Sequence, residues 1–333
     1  MRVAVIGAGS WGTSVAALAA TNVPAVLWAR NPELAATMTR QRENPEYLPG
    51  CRLPDALEFT ADLEEACATA DVIALGVPSH GMRSVLEHAC PFVRPDVAVV
   101  SLAKGVEQHT LLRMSEVASQ VLGGPERVAV LTGPNLAREI SAGQPAASVV
   151  ATHDAETGEL LQQLFMTSRF RVYTNPDVVG CEIAGALKNV MAIAAGIAAG
   201  LGYGDNTKAA LITRGLAELA RLGVALGGDP LTFAGLAGMG DLVATCTSEQ
   251  SRNRTVGVEL GRGRSVEQIT TDMKMVAEGV KTTPAVLALA RRARVEMPIA
   301  EQVGAVITDG RRPSELVPAL MTRQAKSELH GIR

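Results

Sequence analysis

The chain has 333 residues, a net charge of −3, and 47% hydrophobic but only 3% aromatic content. That length suits two domains of roughly 100–200 residues each, with cores that Ala, Val, Leu and Ile must build, and the scattered lysines and arginines exclude an extended nucleic-acid surface. Five dispersed cysteines (Cys51, Cys67, Cys90, Cys181, Cys246) with no CxxC pair exclude a disulfide framework and a zinc site, so no metal is expected and a reducing cytosol is.

The N-terminus enters a strand pattern at once, RVAVIG over 2–7, leaving no room for a signal peptide, and a cytoplasmic location is expected. Further strand-like runs follow over 25–30, 72–78, 97–104, 128–133 and 147–152, with helical patterns such as 61–70 and 111–122 between them. Alternation at this spacing implies a parallel sheet with helices on both faces. After about Val178 the β signal fades, and helices are expected over 181–201, 206–226, 253–261, 282–294, 298–309 and 313–321. Pro176 and the polar residues before it mark the boundary. The expectation is an α/β chain: a sheet domain over 1–178 and an all-helical domain over 179–333. The longest apolar run, Val190–Leu201, falls short of the roughly 20 residues that a bilayer span needs, so no stable membrane insertion is expected.

GAGSWG sets Gly7, Gly9 and Gly12 in the GxGxxG spacing, directly after a strand and before the helical TSVAALAA. In that context each glycine has a mechanical task. Gly7 permits the tight turn, Gly9 lets the backbone approach a pyrophosphate, and Gly12 allows close packing of helix on strand. The helix N-terminus offers N–H groups and a partial positive charge to phosphate. This makes the first domain a Rossmann-type dinucleotide-binding domain. A second strand that ends in Asp or Glu favours NAD; here VLWAR ends in Arg30, whose guanidinium suits a 2′-phosphate. NADP is therefore expected as a cofactor, with NAD beside it.

The segment EIAGALKNVMAIAAGIAAGLG, 182–202, contains a single cation, Lys188, in an otherwise apolar run. LKNVMAIAAGI continues into GDNTKAALITRGLAELARLG and GLAGMGDLVATCTSEQSRNR, with SLAKG and TGPNLAREI upstream. Together with GAGSWG, these blocks closely resemble the NAD(P)-dependent glycerol-3-phosphate dehydrogenases of the bacterial type, from Gly7 to about Val280. The resemblance implies that Lys188 is the general acid/base and that Lys104 contacts both substrate and cofactor. It implies that Asn189, Asp241 and Thr245 surround the reacting carbon and hydroxyls. Arg252 and Asn253, with Ser251 beside them, match the phosphate clamp, and Arg252 also matches a cofactor contact. Gly133, Asn135 and Ala137 fall in the loop at the mouth of substrate and cofactor. Ser10, Trp11 and Arg30 match cofactor contacts, as do Val276 and Glu278. Many members have an Asp where this chain has Ala199, which affects one local polar contact.

The residues themselves support the same chemistry. Reducing a ketone needs a hydride on carbon and a proton on the developing alkoxide, and a desolvated lysine can supply that proton. The carboxylate of Asp241 could hold the lysine, and Arg252 offers a dianionic phosphate a planar bidentate donor. The resemblance thus implies interconversion of dihydroxyacetone phosphate and sn-glycerol 3-phosphate, feeding glycerophospholipid synthesis, with a small phosphorylated substrate. A homodimer is compatible with the Ala/Gly-rich helices. Two alternatives stand beside this reading. Another two-domain dehydrogenase of the 3-hydroxyacid or 6-phosphogluconate type would also carry a helical lysine, but the SRNR and GDNTKAAL runs disfavour it. A nucleotide sensor without turnover would have no use for Lys104, Lys188 and Asp241.

Overall fold

The computed structural model describes residues 1–124, 127–273, 277–325 and 327, and the chain divides into two units. The first comprises Met1–Lys104 and Arg113–Val178, the second Gly105–Leu112 and Val179–Arg333. The short Gly105–Leu112 segment is anchored inside the second unit. Val106 lies in that unit's core, and Gln108 Nε2 donates to the Lys281 carbonyl at 2.8 Å.

The first unit is built on β1 (Val3–Ile6), β2 (Ala25–Trp28), β3 (Glu43–Asn44), β4 (Leu48–Arg52), β5 (Leu57–Thr60), β6 (Val72–Leu75), β7 (Ala98–Ser101), β8 (Val128–Thr132), β9 (Ala146–Ala151) and β10 (Phe170–Asn175). Eight of these form one sheet in the order β10-β9-β8-β7-β6-β1-β2-β5, and β3 with β4 makes a separate hairpin. Every residue of β1, β2 and β6 is buried, as expected of strands covered on both faces.

The sheet is mostly parallel, as expected, and its direction reverses at β9, which runs antiparallel to β8 with Thr132 opposite Val149. A parallel return needs a crossover of roughly a dozen residues or more, usually with a helix long enough to recross the sheet. The connection from Thr132 to Ala146 contains only the 5-residue helix Ala137–Ser141. At about 1.5 Å per residue such a helix cannot span the strands. The edge strands β5 and β10 were absent from the sequence reading. In β10, buried Phe170 and Val172 alternate with exposed Arg171 and Tyr173, so its apolar signal is half that of a central strand.

In the second unit the regular elements among the described residues are helices. Its axis is the 23-residue helix Val178–Gly200. That helix is long and apolar enough to cross a membrane, unlike the shorter run noted above, yet 89% of its most apolar window is buried inside the protein. Asp205–Ala225, Arg252–Gly261 and Glu278–Ala293 pack against it, and Pro298–Thr308 shares the same core. Contact with Arg252–Gly261 is backbone to backbone. A Cβ on Gly196 would lie 2.2 Å from the Arg254 carbonyl oxygen, and one on Gly257 would lie 2.1 Å from that of Ile193. Paired small residues four apart, Gly196 with Gly200 and Gly257 with Gly261, let two helices touch this closely. Sequence reading missed Pro230–Ala234, the π-helical turn Leu236–Gly240, and the helices Asp241–Thr247 and Val266–Asp272. The glycines of GLAGMG hide the helical period there.

One cap in this unit comes from another helix. Pro298 begins Pro298–Thr308, and the N-cap residue Met297 makes no side-chain cap. The buried Glu218, from Asp205–Ala225, supplies it: its Oε1 accepts from Ile299 N–H at 2.7 Å and its Oε2 from Ala300 N–H at 3.3 Å. Burial pushes the Glu218 carboxyl up from 4.5 to about 7, against the two N–H bonds, which lower it. A carboxyl whose folded pKa lies above its unfolded one binds more protons in the native state. Stability therefore falls as pH rises from the unfolded value through the folded one. We expect the melting temperature of the wild type to drop, relative to Glu218→Gln, between pH 4.5 and about 7. The difference should approach about 3 kcal/mol at the top of the window, at roughly 1.4 kcal/mol per unit. Parallel melting curves for the two proteins across that window would exclude this assignment.

Candidate active site

In the first unit the C-terminal edge of the parallel strands gathers the nucleotide residues. β1 runs into Gly7, whose φ of 115° only glycine adopts without strain, and a Cβ there would press 2.8 Å from the Gly76 carbonyl. A Cβ on Gly12 would lie 2.0 Å from the Gly7 oxygen, so both glycines are compelled by packing. Gly9 differs: its φ is an ordinary −70°, and a Cβ would meet nothing within 4 Å. What its missing side chain leaves is open space at the start of the helix Ser10–Ala19, which has no side-chain cap and no acid in its first turn. Trp11 packs against Phe170, ring centroids 6.3 Å apart, and its buried Nε1 has no partner. A buried donor left unpaired costs about 1–3 kcal/mol. An anionic group at an uncapped helix N-terminus, with open space beside Gly9, fits these residues.

The turn is braced by residues that the sequence reading missed. Asn44, fully buried at the end of β3, donates through Nδ2 to the Ala8 carbonyl and to Thr13 Oγ1, both at 2.8 Å. Ser10 Oγ donates to the Tyr47 carbonyl at 2.6 Å in the same hairpin region. Gly76 meets Gly12 at the end of β6. The only signal for Gly76 was its place in LGVP after an apolar run; Asn44 had none. Pairing of Ile6 with Trp28 puts Arg30 beyond the same sheet edge as Ala8. Arg30 is exposed.

Lys104 follows β7 on that edge. Its Nζ donates to the Gly133 carbonyl at 2.9 Å and to Asn135 Oδ1 at 2.6 Å. Gly133 has a φ of 126°, and a Cβ there would lie 3.1 Å from Ser148 Cα. Asn135 Nδ2 is buried without a partner. Ala137 opens the next short helix, and its carbonyl accepts from Ser14 Oγ at 3.2 Å, which ties this loop to the first helix. The predicted residues Gly7, Gly9, Ser10, Trp11, Gly12, Arg30, Lys104, Gly133, Asn135 and Ala137 thus share one sheet edge.

The second unit holds the buried cation. Lys188 is 6% exposed in the middle of Val178–Gly200. Its Nζ donates to Asp241 Oδ1 at 2.5 Å and to Thr245 Oγ1 at 2.8 Å, and Thr245 Oγ1 in turn donates to Asp241 Oδ1 at 3.3 Å. Removing one member of such a pair leaves a buried uncompensated charge, at a cost of about 3–5 kcal/mol. Asp241 begins its helix directly after the π-helical turn Leu236–Gly240. Gly238 folds that turn tightly onto Phe233, whose carbonyl oxygen would lie 2.2 Å from an added Cβ. Cys246 beside this group is a neutral wall, its thiol pushed up to about 12 by burial.

Next to Lys188, Asn189 Oδ1 accepts from Asn253 Nδ2 at 2.9 Å, and Asn253 Oδ1 accepts from Gly279 N–H at 2.9 Å. Ser251 caps Arg252–Gly261 by accepting from Arg254 N–H at 3.3 Å. The backbone N–H of Asn253 lies in the first turn of that helix, where N–H groups have no intrahelical acceptor. Arg252 is exposed, but protein crowds its guanidinium enough to pull its pKa down, with the Glu278 carboxylate acting the other way. Lys188, Asn189, Asp241, Thr245, Ser251, Arg252, Asn253 and Glu278 are therefore carried by four helices of one unit. Val276 lies outside the described residues.

Comparison with known proteins gives a consistent result. The family model described as the N-terminus of NAD-dependent glycerol-3-phosphate dehydrogenase matches residues 2–158, and the model for its C-terminus matches residues 177–318. A glycerol-3-phosphate dehydrogenase (NAD(P)+) of Sphingopyxis alaskensis is 54% identical over 330 residues, covering 99% of each chain. One from Thermobifida fusca is 51% identical over 334 residues with the same coverage. Among solved structures, the glycerol-3-phosphate dehydrogenase of Coxiella burnetii superposes with a TM-score of 0.92 at 36% identity, covering 97% of this chain and 99% of that one.

The Asn44 brace has a measurable consequence. Asn44→Ala leaves the Ala8 carbonyl and Thr13 hydroxyl short of a buried donor, worth about 1–3 kcal/mol. NADPH and NADH should both bind about tenfold more weakly, by the conversion of roughly 1.4 kcal/mol per decade, while the substrate KM at saturating cofactor stays put. Equilibrium titration of cofactor fluorescence reads this directly. Unchanged dissociation constants for both nucleotides would mean that the brace serves the hairpin alone.

Proposed function

This chain belongs to the NAD-dependent glycerol-3-phosphate dehydrogenase family, and from that premise we propose which of its residues do the work. It interconverts dihydroxyacetone phosphate and sn-glycerol 3-phosphate with NAD(P)H, a reaction consistent with the supply of glycerophospholipid precursors. When bound, the nicotinamide supplies or takes the hydride; the rest falls to the protein. In reduction the ketone carbon gains the hydride and its oxygen gains a proton. Lys188 Nζ gives that proton and, while charged, stabilises the developing alkoxide. Asp241 and Thr245 aim the ammonium and satisfy it within an apolar helix. The observation that carries this assignment is the Lys188–Asp241 contact of 2.5 Å between two buried groups, an expensive arrangement that proton transfer accounts for.

Arg252 and the first turn of its helix take the substrate phosphate. The guanidinium supplies a bidentate charge, and the first-turn Asn253 N–H supplies a helix-terminal donor. Lys104, held by Gly133 and Asn135, adds a second cation toward substrate and cofactor. Gly7, Gly9, Ser10, Trp11, Gly12 and Ala137 receive the dinucleotide, with Glu278 at its far side, and Arg30 reads the 2′-position of the adenosine ribose. The five cysteines are free thiols, in keeping with work in the cytosol. The Ala- and Gly-rich helices pack against one another inside the second unit, so a homodimer would have to use another face.

Two variants test these roles. Lys188→Ala should cut kcat by about 100- to 10,000-fold, the usual loss for a general acid, while NADPH binding persists. Retention of more than about a third of wild-type turnover would remove Lys188 from the chemistry. Arg30→Asp removes a charge-assisted contact to a 2′-phosphate and adds a like charge. NADPH efficiency should fall at least tenfold, at about 1.4 kcal/mol per decade, and NADH efficiency should hold or improve. Added salt should narrow the wild type's preference for NADPH, because exposed pairs are screened. Equal losses for both cofactors would mean that Arg30 supports the strand end and does not discriminate.

A further inference from the structure

A hydrogen-bonded chain runs behind the phosphate residues and uses a residue with no side chain. Gly279 N–H donates to Asn253 Oδ1 at 2.9 Å, and Asn253 Nδ2 donates to Asn189 Oδ1 at 2.9 Å. Asn189 Nδ2 turns back to the Gly185 carbonyl of its own helix at 3.5 Å. Both ends of the Asn253 carboxamide are thereby engaged by protein, and the group is 8% exposed. Its orientation is fixed: the oxygen must face the Gly279 N–H, a donor that cannot turn round. The fit at Gly279 is close on every side. A Cβ there would lie 2.8 Å from Asn189 O, 2.8 Å from Asn253 Oδ1 and 2.9 Å from Ile193 Cδ1. Its φ is not among the positive ones, so contact and not backbone conformation demands glycine.

These observations place the function of Asn253 in its backbone. Its carboxamide binds the start of Glu278–Ala293 and the helix that carries Lys188, and its N–H lies in the first turn of Arg252–Gly261, where N–H groups have no intrahelical acceptor. We propose that Gly279 is a positioning residue for substrate phosphate: through the Asn253 carboxamide it sets the first turn of Arg252–Gly261, so that the Asn253 N–H and Arg252 converge on the same phosphate. The proposal rests on the phosphate role given above to Arg252. Gly279 itself touches neither substrate nor cofactor in this scheme. Its effect is on the phosphate end of the substrate and leaves the proton donor Lys188 in place.

The test compares dihydroxyacetone phosphate with dihydroxyacetone in the full-length enzyme. Gly279→Ala should raise KM for the phosphorylated substrate at least tenfold, the scale of one lost charge-assisted contact. It should leave kcat/KM for dihydroxyacetone within about twofold, since that substrate has no phosphate to misalign. Asn253→Ala should show the same selective loss. The double variant should be no worse than either single one, because both break one linkage and linked sites are not additive. Equal losses on both substrates, or additive losses in the double variant, would overturn the positioning role. If Gly279→Ala does not fold, Asn189 serves instead. Asn189→Leu removes the acceptor for Asn253 Nδ2 and should lower kcat/KM for dihydroxyacetone phosphate relative to that for dihydroxyacetone; an unchanged ratio would also overturn the proposal. Arg252→Ala separates the two readings. Should it leave KM for dihydroxyacetone phosphate unchanged, the phosphate role itself fails; should it raise KM while Gly279→Ala does not, only the positioning inference fails.

Discussion

A buried ion pair, Lys188 with Asp241, organises the second unit. An ammonium in the middle of an apolar helix is tolerable only if a carboxylate and a hydroxyl reach it, and here both come from one helix, at Asp241 and Thr245. That requirement explains the irregular segment before Asp241. A π-helical turn, of the kind often found at functional sites, and a glycine pressed onto the Phe233 backbone bring the start of Asp241–Thr247 against Val178–Gly200. The pair contributes little net stability after desolvation is counted. What it secures is an ammonium held in one place, which is what a proton donor needs.

Much of the remaining positioning is done by atoms that are missing. Gly7, Gly12 and Gly76 let β1, β6 and the first helix meet with no side chain between them, and Gly196 and Gly257 do the same for two helices of the second unit. Backbone contact of this kind leaves little room for sliding, since a shift of an ångström brings main-chain atoms into collision. The helix crossing therefore holds Asn253 within hydrogen-bond reach of Asn189. The same crossing sets the start of Arg252–Gly261 beside the helix that carries Lys188. Gly9 stands apart, because the space beside it faces no protein atom.

The nucleotide turn was legible because its signal is local. Gly7, Gly9 and Gly12 stand within six positions, and strand, turn and helix follow in immediate succession. The central strands were legible for a similar reason: full burial removes polar residues and leaves a continuous apolar run, as in β1 and β6. Edge strands β5 and β10 were lost since one of their faces meets water. The antiparallel turn at β9 was lost since it depends on the length of the connection as well as on the strand's own residues. Helices rich in glycine, over 230–247, were lost since glycine carries no periodicity.

By itself the sequence determined the class of protein and the residue types the chemistry needs: a glycine turn for a dinucleotide, Arg30 at the end of β2, one lysine in an apolar helix, and an SRN run. Those are statements about neighbours in the chain, where backbone conformation and local pattern suffice. Only the tertiary structure decided which groups satisfy them. Asp241 and Thr245 reach Lys188 across more than fifty positions, Asn44 braces Ala8 from a separate hairpin, Glu218 caps a helix far along the chain, and Gly279 orients Asn253. A buried donor or acceptor must find its partner wherever packing brings one. The pairing is set by the geometry of the packed chain, and no local sequence signal records it.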